Sequence, residues 1–391
     1  MKTAWPKNII SSIRKLNSVK NFLKEAFTHR DTAIDLLALS IVCRENILFL
    51  GPPGTAKTKL VTRYSNLLNL QSFHYLLTRY TEPTEIFGPM DIKAYENGSF
   101  EVHTRGMLPE AQIVFLDEVF QGSSAILNSL LTILNERIFF NGSVRQALPL
   151  ISIVGVSNTM PEDSTLRAFA DRFLLRLELD PTEDEFLEDL LEKGWELELP
   201  HIKQESGQDI PRELPRLKVE EIQALHGCVA DINLSAVRPV YARLIRNLRA
   251  EGVDLSDRRI VKTMKLIAGA TLLRETDAAE VADFWPLFHI WNRFEEENII
   301  HNILEPILAE AGVDLKKQVR SIQEIMIDLD IIVNKGVETL SPTAVGGYLG
   351  ALSKIRRELI NDHPLQKEAL QKVEAAIKQG MKKMEVANVQ S

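Results

Sequence analysis

The chain has 391 residues, 45% of them hydrophobic and 26% charged, the balance of a folded globular protein too long for one small core. Its net charge of -8 argues against a general nucleic-acid coat, because phosphate backbones are bound by clustered Lys and Arg; a local basic channel stays open. The two cysteines, Cys43 and Cys228, lie far apart and outside any metal-ligand spacing, which excludes a disulfide framework and fits a reducing compartment. No apolar leader follows Met1, and no apolar run is long enough to span a bilayer, so the expectation is a cytoplasmic protein.

In chain order, residues 9–27 and 32–42 read as helices, the second with Asp31 as N-cap. Residues 47–50 form a short apolar strand that ends at a glycine-rich turn, and a helix over 57–70 follows. Residues 73–78, 113–116, 150–156 and 173–179 supply four more strands. Continuous apolar strands separated by helices imply a parallel sheet covered on both faces. After Pro181 strand-like runs stop. The prolines of 196–215 predict a loop, and 219–229, 235–250, 258–274 and 278–294 read as helices. Residues 301–391 also read as helical, with an apolar stripe (Ile322, Ile325, Met326, Leu329, Ile332) taken as core and a charged last helix over 366–384. The expectation is an α/β core over 1–180, an all-α lid over 181–300 and a helical C-terminal extension over 301–391.

Gly51-Pro52-Pro53-Gly54-Thr55-Ala56-Lys57-Thr58 lies between a strand and a helix, the context of a phosphate-binding loop. Successive backbone N–H groups in such a loop form an anion nest at a helix N-terminus. Lys57 then reaches the β- and γ-phosphates of ATP, and Thr58 offers its hydroxyl to Mg²⁺. Ala56 occupies the place of the second glycine of the general pattern; its methyl group is tolerable if the backbone there stays right-handed. Residues 113–116 lead into Asp117 and Glu118. Adjacent side chains of a strand point to opposite sides, so these acids can divide the work: Asp117 holding Mg²⁺ partly through water, Glu118 polarising the attacking water.

This set, together with Ser157-Asn158-Thr159-Met160-Pro161 and Asp171-Arg172-Phe173, resembles the MoxR-type AAA+ ATPases over residues 1–300. Ser256-Asp257-Arg258-Arg259 resembles the RavA-like branch. The resemblance implies an ATP-hydrolysing ring, expected to be a hexamer. It implies that Asn158 acts as sensor 1, that Arg172 reaches a neighbouring subunit's site with Arg167 as a second candidate, and that Arg258 acts in cis as sensor 2. The alternative for Arg172 is an ion pair with Asp171, and Arg259 is easily confused with Arg258. Residues 81–108 match the family's helix-2 insert, and the Asn141-Gly142 turn within 135–147 matches its hairpin before sensor 1, both facing a central pore. Family likeness further suggests a chaperone-like remodeller with a von Willebrand factor A domain partner and a protein client. Two rivals are a nucleic-acid motor, for which the insert and hairpin offer only Lys93, Arg105, Arg137 and Arg145, and a slow nucleotide-gated scaffold.

Overall fold

A computed structural model describes residues 5–161, 163–183, 186–205, 216–312 and 367–389, with isolated positions between 326 and 359. It divides into two compact units, Met1–Ile300 and His301–Ser391.

The first unit opens with helices α1 (Lys7–Ala26) and α2 (Asp31–Cys43). Asp31 is the first residue of α2, while Arg30 occupies the N-cap and makes no side-chain cap. Strand β1 (Ile47–Leu50) runs into α3 (Lys57–Leu67), and β2 (Ser72–Leu76) follows. Two one-turn helices, α4 (Pro83–Phe87) and α5 (Ile92–Glu96), fill the insert before β3 (Ile113–Asp117). Then come α6 (Ser124–Glu136), the hairpin β4 (Ile138–Asn141) and β5 (Val144–Ala147), β6 (Ser152–Ser157), α7 (Ser164–Ala170) and β7 (Leu175–Glu178).

Five strands form one parallel sheet in the order β2-β3-β6-β1-β7. Strands β1 and β6 are buried throughout, as expected of a sheet with helices on both faces. Because all five run the same way, their carboxyl ends meet on one edge and their amino ends on the other. Asn46 fastens the amino edge: its Oδ1 accepts from Ile153 N at 3.1 Å and its Nδ2 donates to the Arg172 carbonyl at 3.3 Å.

The hairpin and the insert brace each other. Asn141 donates to the Val102 carbonyl and accepts from Val102 N–H, at 3.1 and 2.7 Å, and Phe87 stacks on Phe139 at 5.3 Å between ring centres. Arg137 leaves the hairpin altogether. It caps α6 in the left-handed region (φ 55°), and its guanidinium donates to the Leu150 and Arg44 carbonyls. Burial and the neighbouring Arg44 lower its pKa to about 10.

After β7 the structure departs from expectation at two places. Helix α8 (Leu187–Glu205) covers 196–205, predicted as loop, and runs through Pro200. The stretch 278–294 contains a 3₁₀ segment, Val281–His289, rather than an α-helix, because Pro286 lies inside it and cannot donate an α-helical bond. Helices α9 (Val219–Cys228), α10 (Arg238–Ala250), α11 (Asp257–Leu273) and α12 (Phe294–Glu310) complete the described order to residue 310. Helices α9 and α11 pack against α2. Gly269 permits the approach of α11: a Cβ there would sit 2.2 Å from Cys43 Sγ, and Cys43 is a buried free thiol.

The second unit has its own apolar cluster, in which Leu329, Tyr348, Leu352, Ile355 and Leu359 meet Ala369, Val373 and Ala376 of the last described helix, Lys367–Val389. Met326 and Ile332 of the predicted stripe pack against this cluster; Ile322 and Ile325 lie outside the described residues.

Candidate functional site

The carboxyl edge of the sheet gathers most of the residues singled out from the sequence. Gly51 follows β1 and donates to the Ser157 carbonyl at the end of β6, at 3.1 Å. Leu179, just past β7, donates to the Leu50 carbonyl at 2.7 Å. The loop 51–56 is thus pinned between the ends of two neighbouring strands. Gly51 has φ +125°, and a Cβ on it would meet the Leu179 carbonyl oxygen at 2.3 Å. Gly51→Ala is therefore expected to cost about 1–3 kcal/mol and to lower the thermal midpoint, measured by calorimetry.

Ala56 corrects the sequence reading. It is the N-cap of α3 with φ 60° and ψ 17°, left-handed rather than right-handed. An alanine there carries about 1 kcal/mol of strain. Ala56→Gly relieves that strain but loosens the unfolded chain by a comparable amount, so its net effect should stay within about 0.5 kcal/mol. Ala56→Val, β-branched in the same geometry, should destabilise by roughly 1–3 kcal/mol. Thermal midpoints of the two variants check the pair.

Lys57 is buried and turned back onto its own loop. Its Nζ donates to the carbonyls of Gly51 (2.8 Å) and Pro52 (2.7 Å) and to Thr55 Oγ1 (3.1 Å). Burial lowers its pKa, and the carboxylates of Asp117 and Glu118 oppose that fall. A cation encircled by carbonyls, with two acids nearby, is a ready counter-charge for a phosphate. Thr58 is the second residue of α3 and half-buried.

Asp117 closes β3, next to the loop's strand across β6. Its Oδ1 accepts from Glu118 N–H at 3.0 Å. Glu118 is no longer in the strand: its φ is +48°. The two acids diverge because the chain turns between them, not by strand alternation. Asn158, just past β6, donates through Nδ2 to Glu118 Oε1 at 2.8 Å. Burial, and then the neighbouring Asp117, raise the Glu118 pKa.

Two further groups complete this edge, and neither stood out in the sequence. Arg30 is buried and donates to the carbonyls of Thr55 (3.2 Å), His29 (2.8 Å) and Asp180 (2.9 Å), stapling the loop to the chain leaving β7. Lys59 of α3 pairs with Glu198 of α8. Between them lies a cavity of about 400 Å³ whose walls include Gly54, Thr55 and Ala56 on one side and Phe27, Pro181, Leu187, Leu190 and Leu197 on the other. No pattern marks Arg30, because it acts entirely through backbone carbonyls distant in sequence.

The remaining arginines lie elsewhere. Arg172 precedes β7 and so belongs to the amino edge, its Nη1 3.3 Å from Asp171 Oδ2. Arg167 lies in α7 and lines the same cavity as Asp171 and Arg172. Arg258 sits in the first turn of α11 and donates to Asn135 Oδ1 at 2.6 Å, at the far end of α6. Its neighbour Arg259 is buried and bonded to the carbonyls of Phe173 and Leu174, just before β7. The structure therefore does not bring Arg258 to the phosphate loop of its own chain, contrary to the expectation of a role in cis. A strand of four residues and its flanks, more than about 13 Å, lie between them.

Among the described residues no cluster of three or more His, Cys, Asp or Glu is placed to hold a metal. No helix among the described residues is long and apolar enough to cross a membrane.

Most of the chain is similar to known proteins. Residues 14–225 match a family model described as the MoxR domain in the MoxR-vWA-beta-propeller ternary systems. Two uncharacterised proteins of Methanocaldococcus jannaschii are similar. One is 35% identical over 284 residues, covering 72% of this chain and 72% of its own; the other is 32% identical over 363 residues, covering 89% and 91%. The crystal structure of a proposed ATPase from Cytophaga hutchinsonii superposes with a TM-score of 0.61 at 17% identity, covering 80% of this chain and 98% of that one. At that identity the likeness speaks for the fold alone.

Proposed function

The chain belongs to the MoxR family of AAA+ ATPases, and from that premise we propose that it hydrolyses ATP at sites shared between neighbouring copies and uses the cycle to remodel a partner protein. The observation that carries this reading is the division of the machinery between the two edges of the sheet. Lys57, Thr58, Asp117, Glu118 and Asn158 stand at the carboxyl edge, Arg172 and Arg258 at the amino edge. A head-to-tail contact joins one copy's amino edge to the next copy's carboxyl edge, and a closed ring satisfies every such contact. The ring closes with six copies. In each copy residues 1–180 are the nucleotide core, 181–300 the helical lid and 301–391 an extension.

The loop 51–58 holds the phosphates, and the apolar cavity beside it takes the base and ribose. Thr58 and Asp117 would hold Mg²⁺, which would supply positive charge against that of the phosphates. Glu118 takes a proton from the attacking water; its raised pKa makes it a stronger base than a free carboxylate. Asn158, now on Glu118, releases it or orients the water with it. Arg172 of the neighbour, with Arg258 as a second candidate, meets the charge developing on the transferred phosphoryl group.

The remodelling role draws support from the insert and hairpin, where Ile92, Tyr95, Phe100, Phe140 and Val144 are exposed. Exposed aromatic and aliphatic side chains suit a polypeptide client better than a phosphate backbone. Of the four basic residues there, Arg137 is withdrawn into the interior and Arg145 pairs with Glu136, which leaves the exposed Lys93 and Arg105, too few for a phosphate-backbone track. A von Willebrand factor A domain partner is proposed from the systems for which the matching family is described. The test is purification of the Glu118→Gln chain with ATP. Recovery of such a partner with a client supports the reading, and recovery of nucleic acid alone overturns it.

A further inference from the structure

Two buried guanidiniums grip the loop that carries Arg172. Arg176, within β7, donates to the carbonyls of Ala170 (2.9 Å) and Trp291 (2.7 Å). Arg259, from α11, donates to those of Ile290 (2.9 Å), Phe173 (3.2 Å), Leu174 (2.7 Å) and Asp171 (3.4 Å). Both are about 1–2% exposed. Asp171 adjoins Arg259, and its carboxylate is shared: Oδ1 lies 3.5 Å from Arg259 and Oδ2 lies 3.3 Å from Arg172.

Stability is a poor explanation for this arrangement. Two like charges buried side by side cost desolvation, and apolar residues of similar volume are commonly as stable or more so. What the guanidinium of Arg259 supplies, and an apolar chain cannot, is a fork of donors matched to four carbonyls. Three of those carbonyls belong to residues 171–174. The start of α11 and the loop bearing Arg172 are thereby joined as one piece, through hydrogen bonds rather than chain connectivity.

We propose that Arg259 is the positioning residue for Arg172: through Asp171 and the carbonyls of 171–174 it lets helix α11 set where Arg172 is presented to the neighbouring copy. This rests on the reading of Arg172 as acting in trans. Its consequence is directional. A displacement of α11 in one copy changes hydrolysis in the next copy's site, while its own phosphate loop, at the opposite edge, is untouched.

Mixed assemblies test the direction. Glu118→Gln chains keep the arginine but cannot hydrolyse; Arg172→Ala chains keep the hydrolytic edge but lack the arginine. Mixing the two restores activity if Arg172 acts in trans. Arg259→Lys, which keeps the charge but loses the fork, is then added to one or the other. In the Glu118→Gln chain it should lower the restored kcat on the order of 10- to 100-fold, the usual penalty for a catalytic group misplaced by about 1 Å, with the KM for ATP unchanged. In the Arg172→Ala chain it should leave most of the restored activity. Equal losses in both, a loss only in the second, or none in either would overturn the proposal. If the unmodified pair restores nothing, the trans reading itself fails. Should Arg259→Lys fail to fold, judged by lost nucleotide binding, Asp171→Asn takes its place with the same expected asymmetry.

Discussion

Arg172→Ala is expected to lower kcat by about 10³-fold or more while nucleotide binding by each chain survives. The reasoning is geometric. Arg172 precedes β7, so it stands at the edge of the sheet opposite the phosphate loop of its own chain. It cannot reach that loop without unravelling β7, and its removal leaves Lys57 and the loop carbonyls as they are. Loss of turnover with retained binding is therefore the signature of an arginine supplied from outside. Equal mixing of Arg172→Ala with Glu118→Gln chains sharpens the result. Random assembly places an intact hydrolytic edge against an intact arginine at about one site in four, so about a quarter of wild-type turnover should return from two inactive proteins. Steady-state hydrolysis of the mixture, against each protein alone, measures it. Failure to recover activity would return Arg172 to the role of an ion-pair partner for Asp171.

Glu118→Gln is expected to lower kcat by about 10²- to 10⁴-fold, as for loss of a general base, without weakening ATP binding. Glutamine keeps the side chain's length and still accepts from Asn158, so the turn at Glu118, with φ +48°, is preserved. What is lost is the carboxylate that takes the proton. The pH profile separates this from a structural effect. The wild-type kcat should fall as the pH drops through the Glu118 pKa, which burial and Asp117 hold above the ordinary glutamate value near about 4.3. The Glu118→Gln profile should lack that acid limb. A variant that still showed it would place the base elsewhere.

The parts of the site most legible in the sequence were those written in consecutive residues. An apolar strand followed by Gly51–Thr58, or by Asp117 and Glu118, announces itself because the strand and its terminal groups are contiguous. The parallel sheet was legible for the same reason: β1 and β6 are apolar without interruption because both faces are covered. Features made by distant residues were hidden. Nothing local marks Arg30 as the staple of the phosphate loop, or Arg137 as an interior clamp rather than a hairpin charge. Backbone conformation was equally silent at Ala56 and Glu118, where the chain adopts left-handed geometry that neither residue favours. The pair Arg258-Arg259 shows the limit most sharply. Adjacent and chemically identical, they diverge completely once α11 docks: one faces Asn135, the other is buried against the loop before β7. Proline misled in one place and informed in another. Pro200 lies within a helix, while Pro286 marks where helix gives way to 3₁₀.

The opposite-edge placement of Arg172 and Glu118 has a genetic consequence. If Arg172 acts in trans within a closed ring, as proposed, every chain belongs to two reaction centres, as host of one and donor to the other. An allele encoding Glu118→Gln silences only the centre its product hosts, and one encoding Arg172→Ala only the centre its product serves. An allele carrying both changes silences two centres for each copy incorporated. Expressed beside the normal gene, the double allele should therefore be more strongly dominant than either single one, although each single product is inactive on its own.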